Sequence, residues 1–290
     1  MNYRKKLQVK PGTKVKLADI DPAYIGRHAT HDEARPEIAK HLQKMDELQY
    51  LLYAEKKHAL LIVLQGLDAG GKDGVVRHVI SGMNPAGCKV AGFKGPTAEE
   101  LAHDFLWRVQ PHAPARGEVA IFNRSHYEDV LVARVHALVP KAVWAPRYQL
   151  INDFEKLLAI ENNTTILKFF LYISKDEQLA RFKERLDTPA KNWKISDADY
   201  KEREHWDEYI AAFEDALRKT STKHAPWFVI PANHKWFRDL AISAIIVDAM
   251  QAMRMRMPEP TVDLAEIRQL YHAAADEQGR SANHRNQRRK

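Results

Sequence analysis

The chain has 290 residues, a formal charge of +7 and a pI near 9.3, and it is long enough to bury a sizeable core without staples. Hydrophobic residues make up 45% and charged residues 29%, an ordinary balance for a folded soluble protein, and the basic excess favours an anionic partner: nucleic acid, an acidic membrane surface or a phosphorylated substrate. The single cysteine, Cys88, excludes an intrachain disulfide and a cysteine-based zinc site; the N-terminus lacks the apolar core of a signal peptide and the aliphatic runs are too short to cross a bilayer, so a cytoplasmic protein is expected.

Residues 1–30 are polar and punctuated by proline, and read as an arm or loop. A helix is predicted from about Pro36 to Lys57, where Ile38, Leu42, Met45, Leu48, Leu51 and Leu52 recur at helical spacing. Ala59–Gly66 (ALLIVLQG) is a short continuous apolar run ended by glycine, which suits a strand buried on both faces. The pattern then alternates. Helices are predicted at 72–83, 97–109, 126–136, 146–161, 176–186, 197–219, 235–256 and 262–277, and strands at 89–93, 118–122, 165–173 and 227–231. Strands separated by helices predict an α/β fold with a parallel sheet and right-handed crossovers. No repeat, linker or composition shift marks a domain boundary.

The strongest motif is Gly66-Leu67-Asp68-Ala69-Gly70-Gly71-Lys72-Asp73, which fits G-x-x-x-x-G-K between a buried strand and a helix. Glycines allow a tight turn that points successive N–H groups at an anion, and the helix start adds a positive dipole end. Lys72 supplies a mobile cation for phosphate oxygens. The competing reading is a strand-to-helix turn with incidental glycines, against which the strand and helix on either side weigh. Two departures stand out: Asp73 occupies the place of the usual Ser/Thr that holds Mg²⁺, and Asp68 puts a carboxylate inside the loop. A carboxylate beside a polyanion needs a bridging cation, so Asp68 is expected to be a metal or catalytic group, and Asp73 to cap the helix.

The third strand runs into Asn123-Arg124, and ligands in open α/β sheets sit beyond strand ends. Asn123 can orient a water, metal or phosphate, and Arg124 offers a planar fork for phosphate oxygens. Residues 181–194 (RFKERLDTPAKNWK) form a basic stretch interrupted by Pro189, a candidate lid over phosphates carrying Arg181, Arg185, Lys191 and Lys194; Lys183 is read as an ordinary solvated ion-pair residue. Lys94, after the second strand, is a further phosphate-contact candidate no better marked than any surface lysine.

At this point the chain resembles the family 2 polyphosphate kinases. The blocks LQGLDAGGKDG, IFNRSHYEDVLVARVH, RLDTPAKNWKIS and EHWDEYIAAFEDALRKTSTKHAPWFVIPANHKW carry the resemblance in order, over residues 12–257. It implies a P-loop kinase-like three-layer fold related to thymidylate kinases, with a helical lid at about 181–200 in a domain spanning 31–260. It also implies Mg²⁺-dependent (alternatively Mn²⁺-dependent) transfer of a terminal phosphoryl group from inorganic polyphosphate to a nucleotide, and the reverse. The family's functional loop residues match Asp68 and Lys72, with Gly66, Ala69, Gly70, Gly71 and Asp73 around them. Its strand-end pair matches Asn123 and Arg124, and its lid arginine matches Arg185, beside Lys191 and Lys194. Asn rather than Asp at position 123, followed by EDVLVARVH, looks like the subgroup that accepts both AMP and ADP. The resemblance further implies a homodimer or homotetramer, with guanine nucleotides as further acceptors.

Other signals carry less. His28 and His31 lie close together in a polar loop without a nearby carboxylate helix, and the remaining histidines show no ligand spacing. Trp193, Trp206 and Trp227 have rings that could stack a base, though packing is the commoner role and no stacking position is assigned from the sequence; Cys88 is read as buried. The stretch 280–290 has five basic residues and no acidic one and is read as a disordered tail; much of the +7 sits there, so the folded body is close to neutral. Two alternatives remain: an ATP-dependent nucleotide or nucleoside kinase on the same fold, and a non-catalytic nucleic-acid-binding P-loop protein. No nucleic-acid-binding signature supports the second.

Overall fold

The computed structural model describes residues 1–287, with side chains through 278. Its contacts divide the chain into a unit spanning Met1–Met255 and a second beginning at Arg256. In the first unit the elements run α1 (Tyr3–Leu7), α2 (His31–Glu55), β1 (Ala59–Gln65), α3 (Lys72–His78), β2 (Cys88–Gly92), α4 (Ala98–Leu101), β3 (Val119–Asn123), α5 (Val132–Val135), α6 (Lys141–Glu161), β4 (Thr164–Tyr172), α7 (Lys175–Asp187), α8 (Asp197–Glu204), α9 (Trp206–Thr220), β5 (Trp227–Pro231) and α10 (Lys235–Ala252). The five strands form one parallel sheet in the order β2-β3-β1-β4-β5. β1 is central and wholly buried, which explains its unbroken apolar run. β3 and β4 flank β1 on opposite sides, so the crevice beyond its carboxyl end is the switch point where open α/β sheets bind ligands.

Four helix expectations change. The helix predicted at 72–83 stops at His78 and is followed by a separate 3₁₀ turn, Ile80–Gly82. The helix predicted at 97–109 shrinks to α4, because Pro96 and the Pro111 turn bracket it and Asp104 bonds to its own chain at Leu106 N. The helix predicted at 126–136 becomes a 3₁₀ turn, His126–Asp129, followed by α5. The long helix at 197–219 breaks at His205 into α8 and α9. Pro36 lies inside the first turns of α2, where the helix tolerates it, and Thr30 caps that helix through Glu33 N.

The arm is not a free loop. Gln8 bridges Phe228 in antiparallel fashion, Val9 N donates to Trp227 O at 2.8 Å, and Tyr3 and Leu17 are buried. The arm therefore covers the exposed hydrogen-bonding edge of β5, which would otherwise be open to pairing with another chain. The second unit contains α11 (Leu264–Gln287), which extends into the stretch read from composition as a disordered tail; residues 288–290 of that tail lie outside the described residues. Among the described residues no helix is long and apolar enough to cross a membrane.

Candidate active site

Beyond β1 the chain turns through residues 66–71 into α3. Gly71 adopts φ +102°, and a Cβ there would meet Arg238 Nη1 at 2.2 Å, so only glycine fits. Ala69 takes the left-handed region without being glycine, at φ +60°. That cost is held by α7: Arg181 Nη1 donates to Ala69 O at 2.7 Å and Gln178 Nε2 donates to Asp68 O at 3.0 Å.

Lys72 folds back over the loop, donating to Gly66 O at 2.6 Å and Leu67 O at 3.3 Å. Burial lowers its pKa, and the neighbouring Asp68 carboxylate works against that shift. The two carbonyls hold the ammonium where an incoming phosphate oxygen can replace them.

Asp68 Oδ1 accepts from Arg124 Nη2 at 3.3 Å, and Arg124 Nη1 lies 3.8 Å from Glu128 Oε2. Arg124 itself sits at φ +61°, a strained conformation at the end of β3, with its N–H bound to Leu64 O at 3.1 Å. Burial raises the Glu128 pKa despite the cations Arg124 and Lys72 nearby. For Arg124, burial acts downward, but Glu128 and Asp68 outweigh it and hold the guanidinium above its usual value.

A buried polar network anchors this turn from inside the core. Ser125 Oγ accepts from Gln65 Nε2 and from Tyr127 N, each at 3.1 Å. Lys168, on β4, donates to Glu155 Oε2 at 2.6 Å, Tyr127 Oη at 2.8 Å and Thr220 O at 2.7 Å. Burial alone would raise the Glu155 carboxyl, yet Lys168 and His126 outweigh it and leave it below the usual range. The pair is therefore ionised, and it pins the residues on either side of which Arg124 and Glu128 project.

Two cavities meet at the loop. The first, about 310 Å³, is lined by Asp68, Arg124 and Glu128 together with Glu202, Trp206 and Tyr209 of the α8–α9 segment. The second, about 620 Å³, borders Gly71 and Asp73 and gathers Arg77, Arg185, Lys191, Lys194, Lys235 and Arg238. The first is rich in carboxylates and rings, the second in cations.

Residues 28–258 match the family described as Polyphosphate kinase 2. The chain belongs to this family. An AMP/ADP-polyphosphate phosphotransferase of Meiothermus ruber is 50% identical over 260 residues, covering 88% of this chain and 96% of the relative. An ADP-polyphosphate phosphotransferase of Rhodopseudomonas palustris is 44% identical over 273 residues, covering 89% and 93%. The crystal structure of Polyphosphate Kinase 2 from Arthrobacter aurescens TC1 superposes with a TM-score of 0.90 at 41% identity, covering 94% of this chain and 97% of that one.

Within this polyphosphate kinase 2 the structure gathers most of the expected site residues. Asp68 and Arg124 face the first cavity; Ala69, Gly71, Asp73, Arg185, Lys191 and Lys194 face the second; Gly66 lines the first. Asn123 reaches neither: its Nδ2 donates to Asp73 Oδ1 at 2.8 Å, tying the end of β3 to the start of α3. Asp73 thus meets Asn123 and makes no cap bond to the backbone of α3. Arg181 borders the second cavity but is 6% exposed and donates to the carbonyls of Ala69, Ala232 and Asn233 and to Glu177, so it braces the loop with four of its five N–H groups. Lys94 lies on the surface and lines neither cavity. Lys183 pairs with Asp187.

Sequence reasoning missed Glu128, Glu202, Tyr209 and Arg238. Glu128 lies four residues after Arg124, a spacing that puts both on one face of a turn. Arg238 is 2% exposed beneath Gly71 and Gly74, and only the fold brings α10 to the loop. Trp206 lines the first cavity, whereas Trp227 is buried and donates to Thr220 Oγ1. Contrary to the sequence reading, a carboxylate from a helix does reach His28: Glu37 of α2, at 2.6 Å. Cys88 is partly buried and its thiol is pushed up to about 11 by burial.

Proposed function

We propose that this polyphosphate kinase 2 transfers the terminal phosphoryl group of inorganic polyphosphate to ADP and to AMP, and runs the reverse reaction. The supporting observation is the division of the site by the loop into a carboxylate-and-ring cavity and a cation-lined cavity. A nucleotide fits the first, with the largely buried Trp206 and Tyr209 in its wall and Arg124 available to its phosphate. Polyphosphate, which presents charge and no apolar surface, fits the second.

Transfer forms a bond between an acceptor phosphate oxygen and the terminal phosphorus. It breaks the bond to the bridging oxygen, which leaves with the electron pair as the new end of the shortened chain. The acceptor oxygen is already ionised at neutral pH, so no base need remove a proton. Positioning and charge stabilisation dominate such reactions. Lys72 exchanges its carbonyl partners for oxygens of the migrating group, and Arg124 offers it a planar fork. Arg185, held by Lys194 O at 3.0 Å and Asp199 Oδ1 at 3.3 Å, brings the lid segment to the cation-lined side.

The residues present fit Mg²⁺. That ion takes one or two carboxylates, waters and substrate phosphate oxygens, not an all-protein cage. Asp68, partly exposed in the first cavity, would hold it; among the described residues no group of three or more His, Cys, Asp or Glu converges on one point. Bound there, the ion neutralises part of the repulsion between the two polyanions.

The test supplies AMP or ADP with polyphosphate or ATP as the sole phosphoryl donor. Formation of ADP and ATP from polyphosphate is expected. Transfer from ATP alone would overturn the reading in favour of an ordinary nucleotide kinase.

A further inference from the structure

The N-terminal arm carries a second concentration of cations that the phosphoryl-transfer site leaves unused. Residues 4–16 contain Arg4, Lys5, Lys6, Lys10, Lys14 and Lys16 and no acidic residue. The antiparallel bridge of Gln8 to Phe228 and the bond from Val9 N to Trp227 O fix the direction of this segment. Residues before Gln8 run toward the carboxyl end of β5, and Lys10 lies away from it. The chain turns back at Lys10–Thr13, where Thr13 N donates to Lys10 O at 3.1 Å. Between the outgoing and returning segments lies a groove of about 610 Å³, lined by Lys6, Lys10, Lys14 and Lys16 with Val229 and Pro231 of β5.

These lysines differ from those that hold carboxylates around the cation-lined cavity and at β2. Lys191 and Lys235 share Glu184, and Lys89 pairs with Glu118. Among the described residues Lys10, Lys14 and Lys16 find no ion-pair or side-chain hydrogen-bond partner. Asp19 and Asp21 are the acidic residues of the groove, and Asp21 Oδ1 already accepts from Ala23 N at 2.8 Å. Clustered like charges repel one another, and a bound polyanion relieves that repulsion.

The groove and the cation-lined cavity lie on either side of the buried ring of Phe237. Tyr24 lines the groove, and its ring meets Phe237 edge-on at 5.4 Å. Phe237 in turn meets Trp236 at 6.1 Å, and Trp236 and Lys235 line the cavity. Lys6 lines the groove, donating to Tyr24 Oη at 2.6 Å.

We propose that the arm groove is a distal subsite for the far part of a long polyphosphate chain whose reacting end lies in the cation-lined cavity. The proposal rests on the functional reading above. Lysines suit this task, because mobile point charges can follow a flexible chain of repeating phosphates without demanding a fixed geometry. The subsite makes the enzyme prefer long chains through affinity and leaves the chemical step alone.

The experiment compares the full-length protein with a Lys10→Gln/Lys14→Gln/Lys16→Gln variant, using long-chain polyphosphate and a short chain that fits within the cavity. For the variant, KM for long chains should rise about tenfold, the size expected from losing three exposed charge contacts. KM for short chains and both kcat values should hold, and the salt dependence of the long-chain KM should flatten. Equal changes for both lengths, or no change for either, would overturn the subsite. Lysine-dependent binding of a single-stranded oligonucleotide with an unchanged long-chain KM would assign the groove to nucleic acid and also overturn it. Absence of any polyphosphate-dependent transfer by the unaltered protein would instead remove the functional reading itself.

Discussion

The two cavities that meet at the phosphate loop differ in charge and in how their charged groups are held. In the first, Arg124 stands between Asp68 and Glu128 on a strained turn, pinned from below by buried Glu155 and Lys168. In the second, Lys191 and Lys235 converge on Glu184, whose carboxyl their hydrogen bonds draw down to about 2, with side chains that are about half exposed and, among the described residues, rest on no buried network. The first arrangement is rigid and suits placing one acceptor oxygen in line with phosphorus. The second is compliant and suits a chain that must slide by one phosphate after each turnover. The same loop thus faces a site built for position and a site built for charge.

That contrast can be broken from several sides. The largest effect is expected at Lys72, which lines neither cavity but is held on the loop between them by Gly66 O and Leu67 O: Lys72→Met should lower kcat by roughly 10²–10³-fold, the scale of removing one preorganised donor to a developing charge. Steady-state rates with either acceptor would show it, and near-normal turnover would remove Lys72 from the chemistry. Asp68→Asn should lower kcat by about 10²-fold and raise the Mg²⁺ concentration needed for half-maximal rate, because the carboxylate becomes a weaker ligand. A Mg²⁺ titration unchanged in midpoint would separate Asp68 from the metal.

The rigid side has its own test. Lys168→Met leaves Glu155 buried without its cation and should cost about 3–5 kcal/mol of stability, read by denaturant titration. A loss below about 1 kcal/mol would show that the network does not anchor the Arg124 turn. A smaller effect concerns pH. Burial pushes the Lys168 ammonium down to about 8 from its ordinary 10.5, against the pull of Glu155. Between those values the unfolded chain holds a proton that the folded chain has lost, so stability rises with pH across that window. The stability difference between the unaltered protein and Lys168→Met should therefore widen from pH 8 upward, and a constant difference would contradict the shifted ammonium.

Much of the cation-lined site was legible in the sequence, because its parts are contiguous. The loop 66–73 and the basic stretch 181–194 announce phosphate by residue type and by their place after strands. The apolar strands were legible for the same local reason. The carboxylate cavity was less so. Glu128, Glu202 and Tyr209 come from three elements and acquire a common purpose only when α8 and α9 fold over the end of β3. Arg181 shows the opposite limit: its basic character pointed to phosphate, yet the fold spends it on backbone carbonyls. The arm misled for a related reason, since polar residues alternating with Tyr3, Val9 and Leu17 read as loop until β5 offers an edge to cover.

The central claim is that the loop separates donor from acceptor, and it is tested most directly by measuring both KM values on two variants. Lys191→Ala/Lys194→Ala alters the cation-lined side, and Trp206→Ala the carboxylate side. The account predicts a KM for polyphosphate raised several-fold in the first variant with the KM for AMP unchanged, and the reverse in the second. A common shift of both KM values in either variant, or an exchange of the two patterns, would contradict it.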